Sequence, residues 1–456
     1  KKPTRTENTT RRVSVLASAN YTWNDIYLVD ASVRFDGSSE FGANQKWAPF
    51  FSGGLGVNIH NYDFFKSNGY INKLKLRASY GRTGKVNFPA YAATTMYETL
   101  FDEWYITGYG AVLKALGNKD LTWEKTDKLS VGIETKTFHD RLTVDFEYYY
   151  NKTIDLVNDV TLSQTSGFST YKDNMGQVAN KGVELKLRVD IYRDRNWNVA
   201  LWGNMAHNKN EILKISDSQK AYNERVAAYY KNEALYQETL GLSHGAEYSV
   251  PLPQYEEGAS LTSIWAVRSL GIDPTTGKEI FLNRDGSIAD KWNAAQEVVV
   301  GNTEPKCSGA FGLNLSYKNW TLFASFLYEW GGQEYNQTLV NNVENADLVN
   351  KNVDLRVLTD RWKKPGDIAQ FKDIKDRGMT TLPTSRFVQD KALVRLNSLN
   401  VSYDFNRDWI KKHLRMNLLR LEASTSDLIN WSSIKQERGL SYPRSWKVEF
   451  SLKAQF

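Results

Sequence analysis

Long apolar runs are missing from this sequence. No stretch approaches the eighteen residues that a membrane-spanning helix needs, and the chain is hydrophilic on average. Cysteine is reduced to Cys307, which excludes an intrachain disulfide framework. A nucleophilic cysteine would need a histidine and an orienting group beside it, whereas Cys307 opens a predicted strand and reads as structural. The five histidines (His60, His139, His207, His244 and His413) show no HxxxH or HxH spacing and fall in different predicted elements, so no zinc site is expected. Charge of one sign is not concentrated either. The 58 Lys and Arg stand against 52 Asp and Glu, interleaved, for a net charge of +6, and no basic stripe suited to nucleic acid is present. Fixed-period self-similarity, the mark of a solenoid or propeller, is absent. The opening residues, KKPTRTENTTRR, are polar and hold no signal-peptide core.

Aromatic residues are abundant instead, with 14 Trp and 25 Tyr, and apolar residues alternate with polar ones. In WKVEFSLKAQF, Trp446, Val448, Phe450, Leu452, Ala454 and Phe456 share one parity, and Lys447, Glu449, Ser451, Lys453 and Gln455 the other. Successive side chains of a strand point to opposite faces, so this segment has one apolar and one polar face. The stretches 142–150, 183–191, 311–317 and 13–23 repeat the pattern. A transmembrane β-barrel strand needs roughly ten residues per crossing, one face for lipid, one for a wet lumen, and aromatic ends for the interfacial girdles. Such a chain is hydrophilic on average because only every second residue meets lipid. An all-β, antiparallel transmembrane barrel is the expected fold.

Alternation bounded by turn residues predicts about thirteen membrane-length strands, near 12–23, 26–37, 48–60, 73–84, 126–138, 141–154, 181–193, 196–208, 308–318, 319–331, 392–405, 415–427 and 445–456. Short connections include Asn24-Asp25, His139-Asp140, Asp194-Arg195-Asn196 and Lys318-Asn319. Long ones span roughly 85–125, 155–180, 209–307 and 332–391. Barrels place short turns at the periplasm and long loops outside. The last strand therefore runs downward and, counted back, so does the first. Bacterial single-chain barrels have an even number of strands. An odd count predicts that residues 1–456 are the C-terminal piece of a larger barrel, with early strands on a part not included here.

Three local features carry structural expectations. Asp36-Gly37-Ser38-Ser39 predicts a tight turn whose hydroxyls bond backbone N–H groups. Gly53, Gly54 and Gly56 in one strand leave room for a bend or for another element. A phase slip between Leu396 and Leu399 predicts a β-bulge. Within the 209–307 loop, Thr262–Ser269 and Gly271–Gly286 predict a hairpin with turns at Asp273–Gly277 and Asn283–Gly286. The second turn lacks the spaced carboxylates and closing Glu of an EF-hand.

Several segments together resemble the SusC/RagA-type TonB-dependent transporters. They are VRFDGSSEFGANQKWAPFFSGGLGVNI (33–59), LKLRASYGRTG (74–84), LTWEKTDKLSVGIE (121–134), NKGVELKL (180–187), GIDPTTGKEIF (271–281), VGNTEPK (300–306), SRFVQDKALVRLNSLNVSY (385–403) and SYPRSW (441–446). They occur in that order over nearly the whole chain. The resemblance implies a 22-stranded outer-membrane barrel of a Gram-negative bacterium, of which this chain supplies about thirteen strands. It implies an N-terminal plug and early barrel portion, coupling to TonB through that missing portion, and a SusD-like surface lipoprotein as lid. The cargo would be an oligosaccharide or oligopeptide, and transporter–lid pairs would be open to dimerising. No plug and no TonB-binding segment lie in these residues, so energy coupling is assigned to none of them. The alternative is a passive outer-membrane porin.

No catalytic residue, metal or cofactor is expected, and the chain does not read as an enzyme. Asp145, Glu147, Glu184 and Asp190 face inward beside Lys186 and Arg188. They fit acid–base pairs or a wet lumen whose charges pair with one another or with the missing plug. Tyr91, Tyr97, Trp104, Tyr105 and Tyr109 crowd one long loop; Tyr222, Tyr229, Tyr230, Tyr236, Tyr248 and Tyr255 occupy another. Aromatic faces stack on sugar rings or peptide side chains, and they also pack loops together or against a lid. Tyr91, Trp104, Tyr105, Tyr109, Tyr229 and Tyr230 are the candidate substrate contacts. Ala221–Leu240 is expected to form a helix within its loop.

Overall fold

The computed structural model describes residues 9–41, 46–66, 69–86, 88, 91–106, 108–115, 117–161, 170–174, 176–217, 219–221, 223–224, 255–350, 352–376, 381–405, 407–434 and 447–456. Thirteen strands follow one another in chain order across a single antiparallel sheet. They are β1 (Arg12–Trp23), β2 (Tyr27–Ser38), β3 (Trp47–Asn58), β4 (Ile71–Lys85), β5 (Glu124–Thr137), β6 (Leu142–Ile154) and β7 (Gly176–Arg193). After these come β8 (Trp197–Ile215), β9 (Cys307–Tyr317), β10 (Trp320–Tyr335), β11 (Val388–Asp404), β12 (Leu418–Ser426) and β13 (Lys447–Gln455). A short strand, Asn430–Ser432, adds to β11. Each expected strand is present. The largest departures are β7 and β8, whose pairing continues up to Gly176↔Ile215, beyond the membrane length.

The register keeps one parity outward along the whole sheet. Ile133 faces Phe146 and Phe146 faces Leu185; Phe311 faces Phe326; Ala423 faces Phe450. Ile133, Phe146, Phe311 and Phe450 are exposed, Phe450 at 76%, and Leu185, Phe326 and Ala423 are half-buried among them, as on a lipid-contacting face. The opposite parity is polar: Ser32 meets Ser52 at 2.7 Å and Ser79 meets Ser130 at 3.0 Å. At the short-turn end, Trp197 packs on Tyr317 (ring centroids 4.2 Å apart) and Trp320 on Tyr403 (4.8 Å), forming the expected aromatic girdle.

The short turns use residues that tolerate left-handed backbone. Asn24 (φ 53°) and Asp25 (φ 57°) close the first, and Lys318 (φ 51°) lies in another. Between β7 and β8, Asp194 accepts the backbone N–H groups of Asn196 and Trp197, each at 2.7 Å. These donors, with the Tyr192 hydroxyl, hold its carboxyl below the usual range. The bulge in β11 is present: Leu399 faces Ala324 while Leu396 faces Phe326, so Asn397 has no partner of its own and the outward parity resumes one residue out of step.

At the long-loop end the connection between β2 and β3 packs against the connection between β4 and β5. Phe41, Phe50, Phe88, Leu121 and Trp123 form a buried cluster, in which Phe41 stacks on Trp123 at 4.2 Å and Phe50 meets the same ring edge-on at 5.5 Å. Such pairs add about 0.5–1.5 kcal/mol each beyond area burial. The expected turn at Gly37 is corrected. Gly37 stays in β2 opposite Trp47, and a Cβ there would lie 2.8 Å from that indole. The hydroxyl expectation holds, since Ser39 accepts the N–H of Arg11 at 3.0 Å. Over Gly54 and Gly56 lie Asp30 and the side chains of Leu28 and Lys75, all from neighbouring strands.

Among the described residues β1 pairs only with β2 and β13 only with β12, so the sheet remains open. Unpaired backbone groups in lipid cost several kcal/mol each, and both edges therefore call for partner strands. Facing is testable in a complete transporter carrying this chain. Phe450→Arg should impair assembly, at about 2–4 kcal/mol for a cation on the lipid face, whereas lumen-side Lys453→Arg should assemble normally. Heat-modifiable gel mobility reads both. Normal assembly of the first and failure of the second would invert the assignment.

Candidate functional site: the lumen wall and the outer sheet

The inward face of β4–β8 carries a charge network. Arg77 of β4 reaches across β5 to β6, where its guanidinium meets Asp145 at 2.9 Å and Glu147 at 2.6 Å. The strand between them allows this because residue 132 is glycine: a Cβ there would lie 2.7 Å from Arg77 Nε. Lys73 pairs with Glu134 at 2.6 Å, and Arg188 with Asp190 at 3.1 Å. Asp145, Glu147 and Asp190 are thus paired ions of a polar wall, and Glu184 lines the recess beside them. Arg77, which the sequence did not single out, is the cation that organises two of them.

Beside this network lies a recess of about 560 Å³ lined by Ser79, Lys128, Ser130, Glu147, Tyr149, Asn151, Asn180, Glu184 and Asn208. Its lining is hydroxyls, amides and charges. From it a chain of amides climbs towards the outside. The Tyr149 hydroxyl donates to Asn208 Oδ1 at 2.9 Å, and Asn208 and Asn210 both donate to Asn180 Oδ1, at 3.2 and 2.9 Å. Asn208 also bonds Glu304, whose other oxygen accepts the Asn210 N–H at 3.1 Å. Asn210 Oδ1 then takes the Ser260 hydroxyl at 3.0 Å, and Thr262 donates to Asn302 at 2.7 Å. The chemistry on offer is hydrogen bonding to a hydrated, polar solute.

The track ends on a four-stranded outer sheet built from Ser263–Ile272, Glu279–Leu282, Ile288–Ala289 and Glu297–Asn302. The expected hairpin and both turns are there. Asp273 accepts the Thr275 N–H at 2.9 Å and the Thr276 hydroxyl at 2.7 Å. Gly277 (φ +72°) closes the turn, and the space a side chain would fill is taken by the Trp362 ring. Trp362 Nε1 donates to the Pro274 carbonyl at 2.8 Å, so the 271–281 motif anchors the 336–387 loop. Arg386 ties three segments together, bonding the buried Glu279 at 2.9 Å and the buried Glu344 at 2.6 Å from a largely covered position. Burial disfavours its charge, but the two carboxylates outweigh that and raise its pKa. Glu297 differs: it is buried, one carboxyl oxygen lacks a hydrogen-bond partner, and desolvation pushes it up to about 7 despite nearby Arg284.

The sequence-derived contact residues do not converge. Tyr91 (φ 69°) uses its hydroxyl to accept the Thr9 backbone N–H at 3.1 Å, tying its loop to the strand entrance. Tyr109 is exposed on a hairpin of Met96–Tyr105 with Gly108–Ala115, where residue 104 pairs with 109 and residue 105 with 108. The side chains of Trp104 and Tyr105 lie outside the described residues, as do Tyr229, Tyr230 and most of the expected 221–240 helix. Tyr255 packs on Val178, Ile212 and Ile215. The wall residues Tyr149, Asn180 and Asn208 had a legible signal, inward parity, but polar lumen positions are too numerous for parity to choose among them.

The buried Glu297 makes the outer sheet pH-sensitive. Its folded pKa lies above the unfolded value, so the stabilisation is full below about pH 4.3 and is lost as pH rises through about 7. Hydrogen-exchange protection of 297–302 against 263–267, corrected for intrinsic exchange, should fall over that window. Glu297→Gln should abolish the pH dependence; an unchanged profile would contradict the burial argument.

Comparison with known proteins bears on this arrangement. The profile of a family described as TonB dependent receptor-like, beta-barrel matches residues 2–423. The chain is 29% identical over 436 residues to TonB-dependent receptor P3 of Formosa agariphila, covering 93% of this chain and 41% of that protein. It is 30% identical over 215 residues to TonB-dependent receptor SusC of Bacteroides thetaiotaomicron, covering 45% of this chain and 21% of that one. A solved structure of the RagAB peptide transporter aligns with a TM-score of 0.77 at 24% identity, over 94% of this chain and 45% of that one. This likeness is one of fold. The chain spans less than half the length of these relatives, and the SusC/RagA-type resemblance of its motifs is borne out. With that match running over most of its length, the chain belongs to the TonB-dependent receptor-like family of outer-membrane β-barrels.

Proposed function

We propose that this chain is the C-terminal wall and extracellular loop set of a TonB-dependent importer, with residues 1–456 as one barrel portion of a transporter that is completed by an N-terminal plug and early strands. The cargo is a bulky polar nutrient, an oligosaccharide or oligopeptide, taken up across the outer membrane of a Gram-negative bacterium. The observation that carries this reading is the polar track that runs without a break in kind from the lumen recess at Tyr149 and Asn208 to the outer sheet at Asn302. Similarity to SusC and to the RagAB peptide transporter supports it. Tyr91, Trp104, Tyr105, Tyr109, Tyr229 and Tyr230 are proposed to contact cargo at the mouth.

A SusD-like lipoprotein lid is part of the proposal. Val349, Leu355 and Leu358 are exposed on the outer loop body, above the membrane, where uncovered apolar side chains mark contact with another protein. A lid held at one edge would open and close over the recess, and transporter–lid pairs would be able to dimerise.

The test uses the intact transporter. Shortening 96–115 and, separately, replacing Val349 and Leu355 by Glu should lower uptake of candidate glycans or peptides and lower lid recovery in a pull-down. Each change is expected to spare barrel assembly, since both lie outside the membrane sheet. Normal uptake and normal lid retention in both variants would leave these loops as decoration and remove the assignments.

A further inference from the structure

The connection between β11 and β12, at the short-turn end, forms an eight-residue helix, Arg407–Leu414. It leaves the sheet beside the Lys318-Asn319 turn: the Asp404 N–H donates to the Asn319 carbonyl at 2.9 Å, and the Asn319 amide donates back to the Asp404 carbonyl at 2.6 Å. At about 100° per residue, Trp409, His413, Ile410 and Leu414 share one arc of the helix, and Lys411 and Lys412 lie on the other with Asp408 between them. The two halves of the apolar arc are treated differently. Ile410 is 1% exposed, while Trp409 is 51% exposed and Leu414 is also open. The imidazole of His413 stacks on the Trp409 ring at 5.2 Å. Lys411, Lys412 and Arg415 are exposed.

A helix with one buried apolar anchor, exposed apolar flanks and a cationic side lies naturally in a membrane interface. Two observations fix which surface it meets. The first is continuity. Tyr403, four residues before the helix, and Leu421, seven residues after it, are cross-strand partners on the lipid-facing parity, so the helix is bracketed by the lipid face of β11 and β12. The second is charge. Three cations, Lys411, Lys412 and Arg415, outnumber the one exposed carboxylate of the helix, Asp408, at the end of the barrel where Lys318 also lies over the Tyr317 ring at 5.3 Å. Anionic phosphate is complementary to that cluster, and an indole at the same level suits the headgroup region.

We infer that Arg407–Leu414 and Arg415 form a docking site for anionic phospholipid headgroups of the periplasmic leaflet. The side chains of Lys411, Lys412 and Arg415 meet the phosphates, and Trp409 sits among the glycerol and upper acyl carbons. This rests on the membrane-barrel reading and adds a lipid partner that the import reading does not require.

The experiment reconstitutes the complete transporter carrying this chain in phosphatidylcholine vesicles with and without phosphatidylglycerol, and counts retained lipids by native mass spectrometry. Three proteins are compared: unsubstituted, Lys411→Gln/Lys412→Gln/Arg415→Gln, and Lys411→Arg/Lys412→Arg. Apparent affinity for phosphatidylglycerol should fall about fivefold per charge removed at low salt, with phosphatidylcholine retention unchanged and the Arg variant like the unsubstituted protein. Equal phosphatidylglycerol retention by the Gln variant would overturn the inference, as would loss in the Arg variant as large as in the Gln variant. Loss of a co-purifying periplasmic protein with lipid retention unchanged would assign the face to that protein instead. Heat-modifiable mobility monitors insertion, and failure of the unsubstituted protein to insert would overturn the barrel reading itself.

Discussion

A backbone amide in hydrocarbon has no water to bond, and this constraint orders the rest of the molecule. Each strand must find a neighbour on both sides, which the unbroken succession from β1 to β13 provides for all but the two outer strands. Pairing in register then forces parity: if Phe450 faces lipid, so must Ala423 opposite it and Leu421 and Leu452 one step along. The polar residues between them are turned inward as a consequence. The lumen chemistry is therefore the complement of the lipid face, and neither can be altered by one residue of slip without exchanging the two.

Within that frame the inward face has organised itself around long side chains and small neighbours. Arg77 spans a strand to reach Asp145 and Glu147 because Gly132 offers no Cβ. Tyr149 reaches Asn208 in the same manner across Gly182. These groups hold one another in a polar wall. The same amide chemistry continues past the membrane through Asn210 and Ser260, so the lumen and the outer sheet share one surface.

The outer body depends on different physics. Above the membrane the loops fold as a small soluble unit would, with an apolar cluster of Leu339, Val340, Val343, Val357, Phe371 and Phe387. Arg386 beside it joins the buried Glu279 to the buried Glu344. Removing one member of such a buried set costs about 3–5 kcal/mol, largely because a charge is left alone. Its contribution is to specify which loops meet, since Glu279, Glu344 and Arg386 come from three separate stretches of chain.

Much of the barrel was legible in the sequence because its signal is local. Period-two alternation, the Asn24-Asp25 and Asp194–Asn196 turns, and the slip at Leu396–Leu399 are all read within a dozen residues, and each corresponds to a feature of the sheet. Gly37 misled because a glycine beside Asp and Ser carries a turn signal, while the Trp47 ring that needs its empty side lies across the sheet. The lumen carboxylates were visible by parity, but their partner Arg77 sits about seventy residues away and became identifiable only through the register. Likewise nothing local links Gly277 to Trp362, or Glu279 to Arg386. The sequence by itself determined which residues face lipid, because strand geometry converts position into side. Which inward residues meet, and how the loops close over them, was decided by the tertiary structure, because those contacts join residues that only the folded sheet brings within a few ångströms.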